Sequence, residues 1–247
     1  MPFFTRGTTE IYYEVHGSGY PLLLFAPGGM RSTIALWERP PYHAVREFCD
    51  EFRVIALDQR NAGASRAPVV ASDGWQSYTE DHLALLDELK VERCHLLGAC
   101  VGGAFALSLV AIAPKRVSAA ILQQPIGFDG TNRDVFYELF DAWGQELLQT
   151  RTDVTPEALR AFRSRMYDGD FVFSVGRDAV QRCQTPLLVL RGNDVYHPAA
   201  ISEEIARLAP RAELVQSWKT GSDADAAIAR MHAFLTEHAG SHPGAAG

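Results

Sequence analysis

The most constraining feature of this chain is a short segment, Gly98-Ala99-Cys100-Val101-Gly102, which lies between two stretches of different periodicity. The apolar run Cys94 to Leu97 precedes it, and small residues at helical spacing from Val101 to Ala113 follow it. A strand that turns directly into a helix needs small residues on both sides of the turn, because the two backbones pass close together. Gly98 and Gly102 meet this requirement and leave Cys100 at the top of the turn.

Short apolar runs alternate with helical patterns along most of the chain. The segments Ile11 to Val15 and Leu22 to Phe25, separated by Gly17-Ser18-Gly19, predict a hairpin that enters a buried sheet. Further strands are predicted at Arg53–Leu57, Cys94–Leu97, Val117–Leu122, Pro186–Leu190 and Ala212–Val215. Helices are predicted at Ser77–Leu89, Val101–Ala113, Ala199–Leu208 and Asp223 to about Glu237. Strands that alternate with helices form a mainly parallel sheet covered on both faces, so the predicted class is α/β.

The alternation breaks between about Phe128 and Asp178, where amphipathic stretches at Val135–Leu148 and Pro156–Tyr167 replace the expected strand. We interpret residues 128–178 as a helical cap inserted into a core formed by residues 1–127 and 179–238. The tail, residues 239–247, is predicted to be disordered. The aromatic side chains of the cap either line a substrate pocket or, as is commoner at helical spacing, pack the cap on the body; they are Phe136, Tyr137, Phe140, Trp143, Phe162 and Tyr167.

Composition and charge exclude several kinds of partner. The formal net charge is −7, and the basic residues are scattered, which argues against a nucleic-acid surface. No apolar leader and no stretch of membrane-spanning length is present in the sequence, so we expect a cytoplasmic protein without a membrane partner. The four cysteines have irregular spacing and no C-x-x-C pair, which predicts free thiols rather than a metal site or disulfides; three of them, Cys49, Cys94 and Cys183, are expected to be inert and buried.

Three further motifs occur in an informative order. Ala26-Pro27-Gly28-Gly29-Met30 follows the first buried strand, Asp58 to Ser65 reads D-Q-R-N-A-G-A-S, and Gly192 to Pro198 reads G-N-D-V-Y-H-P. Together with the cysteine turn, they resemble the α/β-hydrolase fold family across nearly the whole chain. The resemblance implies an oxyanion loop, a D-x-R-G-x-G-x-S turn with Asn61 in place of a glycine, and a loop that supplies the acid of a catalytic triad. That acid would be Asp194, and the nucleophile would be Cys100 where most members have serine.

The usual general base of that family is absent from its usual place. The resemblance implies a histidine after the last strand, but residues 217–223 read S-W-K-T-G-S-D, with Ser222 in that slot. His232 follows too far into the next helix to reach Cys100. The best replacement is His197, three residues after Asp194, although an exposed loop histidine is an equally good interpretation. His95 is expected in the core and His82 on a helix surface.

The chemistry expected at Cys100 is nucleophilic. A thiolate at a helix amino terminus is stabilised by unpaired N–H groups and by the helix dipole, so its pKa should fall. The N–H of Val101, with one from Gly29 or Met30, would stabilise an oxyanion. The expected activity is hydrolysis or acyl transfer on a small, rather apolar ester, thioester, lactone or β-dicarbonyl compound. No motif predicts a cofactor or a metal site.

Two other functions are compatible with the missing histidine. One is a protein that binds a small ligand in the pocket but has lost hydrolysis. The other is a lyase or isomerase that uses the oxyanion site without a covalent step, whose activity would survive replacement of Cys100. The sequence leaves substrate identity and oligomeric state open.

Overall fold

The computed structural model describes residues 2–38 and 41–239. Its strands are β1 (Phe3–Arg6), β2 (Thr9–His16), β3 (Tyr20–Phe25), β4 (Phe52–Leu57), β5 (Cys94–Ala99), β6 (Val117–Gln123), β7 (Leu187–Leu190) and β8 (Ala212–Val215). Its α-helices are α1 (Ala44–Phe48), α2 (Trp75–Glu88), α3 (Val101–Ile112), α4 (Arg133–Thr150), α5 (Pro156–Tyr167), α6 (Arg177–Gln181), α7 (Ala199–Leu208) and α8 (Gly221–His238).

The strands form one sheet in the order β1-β2-β4-β3-β5-β6-β7-β8. Neighbouring strands from β4 to β8 in that order pair in parallel, whereas β2 pairs antiparallel with both β1 and β4. The α/β class with a mainly parallel sheet is therefore confirmed. The carboxyl ends of β3, β5, β6 and β7 meet at one edge, which is where ligands bind in open α/β sheets.

The strands are apolar throughout because both faces of the sheet are covered. Within β3, Leu23 packs in a core cluster with Leu85 of α2 and Phe105 of α3. Its neighbours Leu22 and Leu24 point to the other face, where a second cluster contains residues of α1 and α8. Side chains alternate between the faces of a strand, so a strand covered on both sides needs apolar residues at every position.

The predicted hairpin between β2 and β3 is wrong. The chain turns at Gly17 to Gly19, but β4 lies between the two strands and pairs with both of them. The fully buried run of β3 is stabilised by two strand neighbours, β4 and β5, whereas the half-buried β2 suits a position near the edge. The hairpin that does form joins β2 to β1, a strand that we did not predict.

Two long helices occupy the segment that interrupts the alternation. Helix α4 covers Val135–Leu148 and extends beyond it at both ends, and α5 begins and ends at the predicted residues. Thr155 caps α5 by accepting a hydrogen bond from the Ala158 N–H, and Pro156 occupies the first turn. The division into core and cap at residues 128–178 stays a prediction, and residues 240–247 of the tail lie outside the described residues.

Candidate active site

Cys100 lies on a sharp turn between β5 and α3. Its backbone has φ 58° and ψ −118°, a conformation that residues other than glycine rarely adopt. The flanking glycines are required by close approach: a Cβ at Gly98 would lie 2.1 Å from the carbonyl oxygen of Gly102, and one at Gly102 would lie 2.1 Å from that of Phe25. The turn therefore presents a partly buried thiol at the amino terminus of a 12-residue helix.

A second loop brings a carboxylate and an imidazole together. After β7, reciprocal backbone hydrogen bonds of 3.3 Å and 3.1 Å join Asp194 and His197, and His197 Nδ1 donates to Asp194 Oδ1 at 2.7 Å. The imidazole is largely buried, while the carboxylate side chain is 43% exposed. From the start of α4, Asn132 Nδ2 donates to the Val195 carbonyl at 2.7 Å, which ties the tip of this loop to the helical segment.

The Cys100 thiol and the His197 imidazole interact directly. Burial raises the pKa of Cys100, but the nearby imidazole and two backbone N–H groups lower it by more, so the thiol is more acidic than usual. Burial lowers the pKa of His197, but Cys100 and then Asp194 raise it by more. Both directions favour a thiolate beside an imidazolium.

The remaining imidazole nitrogen, Nε2 of His197, is shielded from solvent and has no partner of good hydrogen-bond geometry among the described residues. The thiol and the ring thus shift each other's pKa, although the Cys100 sulfur is not in hydrogen-bond geometry with Nε2. Such loose alignment is common in catalytic pairs before substrate binds, and it tightens in the reacting complex. Asp194, whose pKa is also lowered despite partial burial, fixes the ring by holding the Nδ1 proton.

Two backbone N–H groups, those of Val101 and Gly28, lower the pKa of the Cys100 thiol. Both residues line the cavity, and Gly28 has φ 116°. Gly29 lines the cavity as well, and Met30 is buried with its sulfur accepting a 3.8 Å contact from the Tyr167 hydroxyl. The expected role of Val101, with Gly29 or Met30, in binding an oxyanion stays a prediction.

Three other histidines weighed from the sequence do not line the cavity. His232 of α8 has Nε2 3.0 Å from Glu47 Oε1 and Nδ1 3.0 Å from Glu51 Oε1, on the face covered by α1. His95 is fully buried within β5, as expected. The expectation for His82 is wrong: it is fully buried, its Nε2 lies 2.8 Å from Gln59 Oε1, and burial lowers its pKa to about 3. The D-Q-R-N-A-G-A-S turn, to which Gln59 belongs, covers that side of α2.

Hydrogen bonds and ion pairs connect that turn to two other segments. Asp58 accepts hydrogen bonds from the N–H groups of Ile34 and Ala64, at 2.8 Å and 2.9 Å, and so joins the turn to the loop after β3. Arg60 forms buried ion pairs with Asp73, which precedes α2, and with Asp81 within α2, so it anchors the turn to that helix.

A cavity of about 560 Å³ opens beside Cys100 and His197. From the helical segment, Phe136, Leu139 and Tyr167 line one side of it, and the loops after β3 and β6 line the other side with both polar and apolar residues. The aromatic residues of the segment divide between the two expected roles. Phe136 and Tyr167 reach the cavity, whereas Phe140, Trp143 and Phe162 pack against one another.

Sequence reasoning did not identify the polar residues on the body side of this cavity. Tyr42, Gln123 and Gln124 all line it, and the Tyr42 hydroxyl donates to Gln123 Oε1. Gln123 and Gln124 directly end the apolar run of β6, at the edge where ligands bind. That position is the one sequence signal that could have singled them out.

The pKa directions predict two different pH profiles. Alkylation of Cys100 needs only the thiolate, so its rate should rise at a pH below the ordinary thiol pKa of about 8.5 and then stay high. Ester hydrolysis also needs a protonated imidazole for the leaving group, so it should fall again as the pH passes the raised pKa of His197. Parallel stopped-flow titrations check this, and two identical profiles would contradict the ion pair.

The chain matches the family model for the alpha/beta hydrolase fold over residues 21–166, which is more than half of its length. It belongs to the alpha/beta hydrolase fold family. A solved alpha/beta hydrolase with a similar fold is a variant of the meta-cleavage product hydrolase CumD of Pseudomonas fluorescens. Its TM-score is 0.71 at 19% identity, and the match covers 96% of this chain and 98% of that one.

Two proteins that are similar to this chain in sequence are named for different activities. The protein of Azorhizobium caulinodans named for carbamate hydrolysis, RutD, is 35% identical over 47% of this chain and 42% of its own length. The acetyltransferase component of the acetoin cleaving system of Pseudomonas putida is 28% identical over 92% of this chain and 66% of its own length. The chain spans roughly half the length of the RutD proteins that it matches. Among the helices described, none is long and apolar enough to cross a bilayer.

Proposed function

We propose that this protein is a thiol-dependent hydrolase or acyl-transfer enzyme that forms an acyl-enzyme at Cys100. The observation that carries the proposal is that two groups line one cavity, a thiol of lowered pKa and an imidazole of raised pKa, and that a carboxylate behind them is bound to the imidazole. The substrate class is a small, rather apolar ester, thioester, lactone or β-dicarbonyl compound. The mixed lining and the volume of the cavity support a substrate of that size.

The first half of the proposed reaction transfers the acyl group to sulfur. The Cys100 thiolate attacks the carbonyl carbon, and the negative charge moves to the carbonyl oxygen, which the N–H groups of Gly28 and Val101 bind. When the carbonyl re-forms, the bond to the leaving group breaks, and His197 donates its Nε2 proton to that group. The products are a thioester at Cys100, a neutral imidazole and the protonated leaving group.

The second half releases the acid. Neutral His197 removes a proton from water as the water oxygen attacks the thioester carbon, and the same two N–H groups bind the oxyanion. Collapse of this intermediate breaks the carbon–sulfur bond and restores the thiolate beside the imidazolium. An alcohol or amine that takes the place of water gives acyl transfer by the same steps, and the name of the acetyltransferase relative is consistent with that variant.

The proposal predicts that Cys100 is the most reactive thiol of the protein. Limiting iodoacetamide at neutral pH, followed by peptide mass spectrometry, should label Cys100 at least about tenfold faster than Cys49, because the rate follows the thiolate fraction. Cys49 is the fair comparison, since it is also partly exposed; the expectation that it would be buried is wrong, whereas Cys94 and Cys183 are buried as expected. Equal labelling of the two thiols, or protection of Cys100, would contradict the nucleophile assignment.

A further inference from the structure

Backbone hydrogen bonds to two different segments fix the position of Gln124 beside the cavity. It directly follows β6, and the preceding residue, Gln123, accepts a 3.0 Å hydrogen bond from the N–H of Cys100. The N–H of Gln124 itself donates to the Leu190 carbonyl at 2.8 Å, at the end of the strand that leads into the Asp194 loop. The residue thus lies between the elbow and the loop that carries the imidazole, and it lines the same cavity.

Two unfavourable features coincide at Gln124. Its backbone has φ 40°, in the left-handed region that suits glycine, and its side-chain oxygen Oε1 is shielded from solvent with no hydrogen-bond partner among the described residues. Strained backbone and unpaired buried polar atoms both destabilise a fold, and both concentrate at functional sites. A glutamine that combines them beside a reactive thiol is better explained by a ligand than by the fold.

A complementary unpaired group lines the same cavity. The indole Nε1 of Trp37 is buried and has no partner within the described ranges. The Tyr42 hydroxyl already donates a hydrogen bond to Gln123 Oε1, so its proton is not available to a ligand. The buried acceptor on Gln124 and the buried donor on Trp37 are therefore both available to a ligand in the cavity.

Apart from Cys100 and His197, the charges around the cavity argue against an ionic ligand group. Among the described lining residues, Arg31 is the only Arg, Lys, Asp or Glu, and its guanidinium is already bonded to Glu146 at 2.8 Å. A ligand carboxylate would lack a free cation, and a ligand ammonium would lack a carboxylate. The smallest uncharged group that both donates and accepts a hydrogen bond is a hydroxyl.

We infer that Gln124 determines specificity for a hydroxyacyl substrate, by accepting a hydrogen bond from its hydroxyl while Trp37 donates one to the same oxygen. The inference rests on the proposed function and narrows its substrate class. A site that pairs a substrate hydroxyl rejects the analogue without it, because the polar groups of the protein are then left unpaired. We assign the hydroxyl to the acyl group, because the Cys100 N–H bonds the carbonyl of Gln123, the residue before Gln124, and an acyl group on Cys100 stays beside that turn.

The test compares α-, β- and γ-hydroxyacyl thioesters with counterparts that carry a methyl group in place of the hydroxyl. The wild type should prefer one hydroxyacyl thioester over its methyl counterpart by at least about tenfold in kcat/KM. The preference should fall to about one in Gln124→Met, which removes the acceptor at similar size, and should be reduced in Trp37→Phe. The matched control is Gln184→Met, an exposed glutamine far from the elbow, which should keep the full preference.

A second readout separates recognition from structural support. Gln124→Gly relieves the left-handed φ and removes the unpaired oxygen, so its melting temperature should rise while its preference for the hydroxyl disappears. A melting temperature that falls in this variant, together with an unchanged preference, would show that Gln124 is structural and would overturn the inference.

The outcomes also distinguish the inference from the function on which it depends. If the wild type labels at Cys100 and hydrolyses both members of every pair equally well, the proposed function stands and the role of Gln124 is wrong. If Cys100 resists iodoacetamide and no thioester is hydrolysed, both proposals fail.

Discussion

Replacing Cys100 with alanine is expected to lower thioester and ester turnover by at least about a thousandfold, the scale of loss when a covalent nucleophile is removed. The N–H groups of Gly28 and Val101 would still bind an oxyanion, so a small residual rate should remain. Initial-rate assays of the purified variant measure the loss, and mass spectrometry of the quenched wild type should show an acyl adduct on the peptide that contains Cys100.

The matched control for this variant is Cys49→Ala, which removes a partly exposed thiol that lies outside the cavity and should keep normal turnover. An alanine variant at Cys100 that retains activity within about tenfold of the wild type would point to a lyase or isomerase without a covalent step. Tight binding of substrate by a wild type that never turns over would instead favour a protein that only binds its ligand.

Replacing His197 with glutamine is expected to slow hydrolysis by about a hundredfold to ten-thousandfold, with the second half of the reaction affected most. An activated thioester still acylates a thiol without much help, but water needs a base to attack the resulting acyl-enzyme. The variant should therefore accumulate a stable acyl adduct, visible as a mass increase of the intact protein. The pKa of Cys100 should also rise, because the imidazole that stabilises its thiolate is gone.

His232→Gln is the control, since it removes an imidazole that contacts Glu47 and Glu51 and does not line the cavity. It tests whether the histidine of α8, the helix that follows the usual position of the family base, has any share in catalysis. If this control loses turnover while His197→Gln retains it, the base has been assigned to the wrong residue.

The parts of the site that the sequence could predict are those encoded by neighbours along the chain. The requirement for glycine at position 98 is of this kind, because a Cβ there would meet the carbonyl of Gly102, whereas Gly102 is required by the carbonyl of Phe25 on the distant strand β3. Asp194 and His197 are three residues apart, so their mutual hydrogen bond is also a local property of one loop. Their catalytic roles stay predictions that the variants above test.

Contacts between distant segments escaped the sequence for a physical reason. The strand β4 separates β2 from β3, and this order depends on which buried surfaces match rather than on any residue spacing. The burial of His82 has the same origin, because another segment of the chain covers a helix face whose own residues look polar. The unpaired oxygen of Gln124 is invisible in the sequence, since it results from what the folded protein leaves empty around that atom.

By itself, the sequence determined the α/β class, the glycine-flanked turn with its cysteine, and the absence of a histidine from residues 217–223, since residue periodicity and residue identity express these directly. Only the tertiary structure decided that the His197 ring and the N–H of Gly28 shift the pKa of the Cys100 thiol, and which polar groups share the cavity. These features depend on distances between atoms far apart in the chain, and packing of the whole sheet sets those distances.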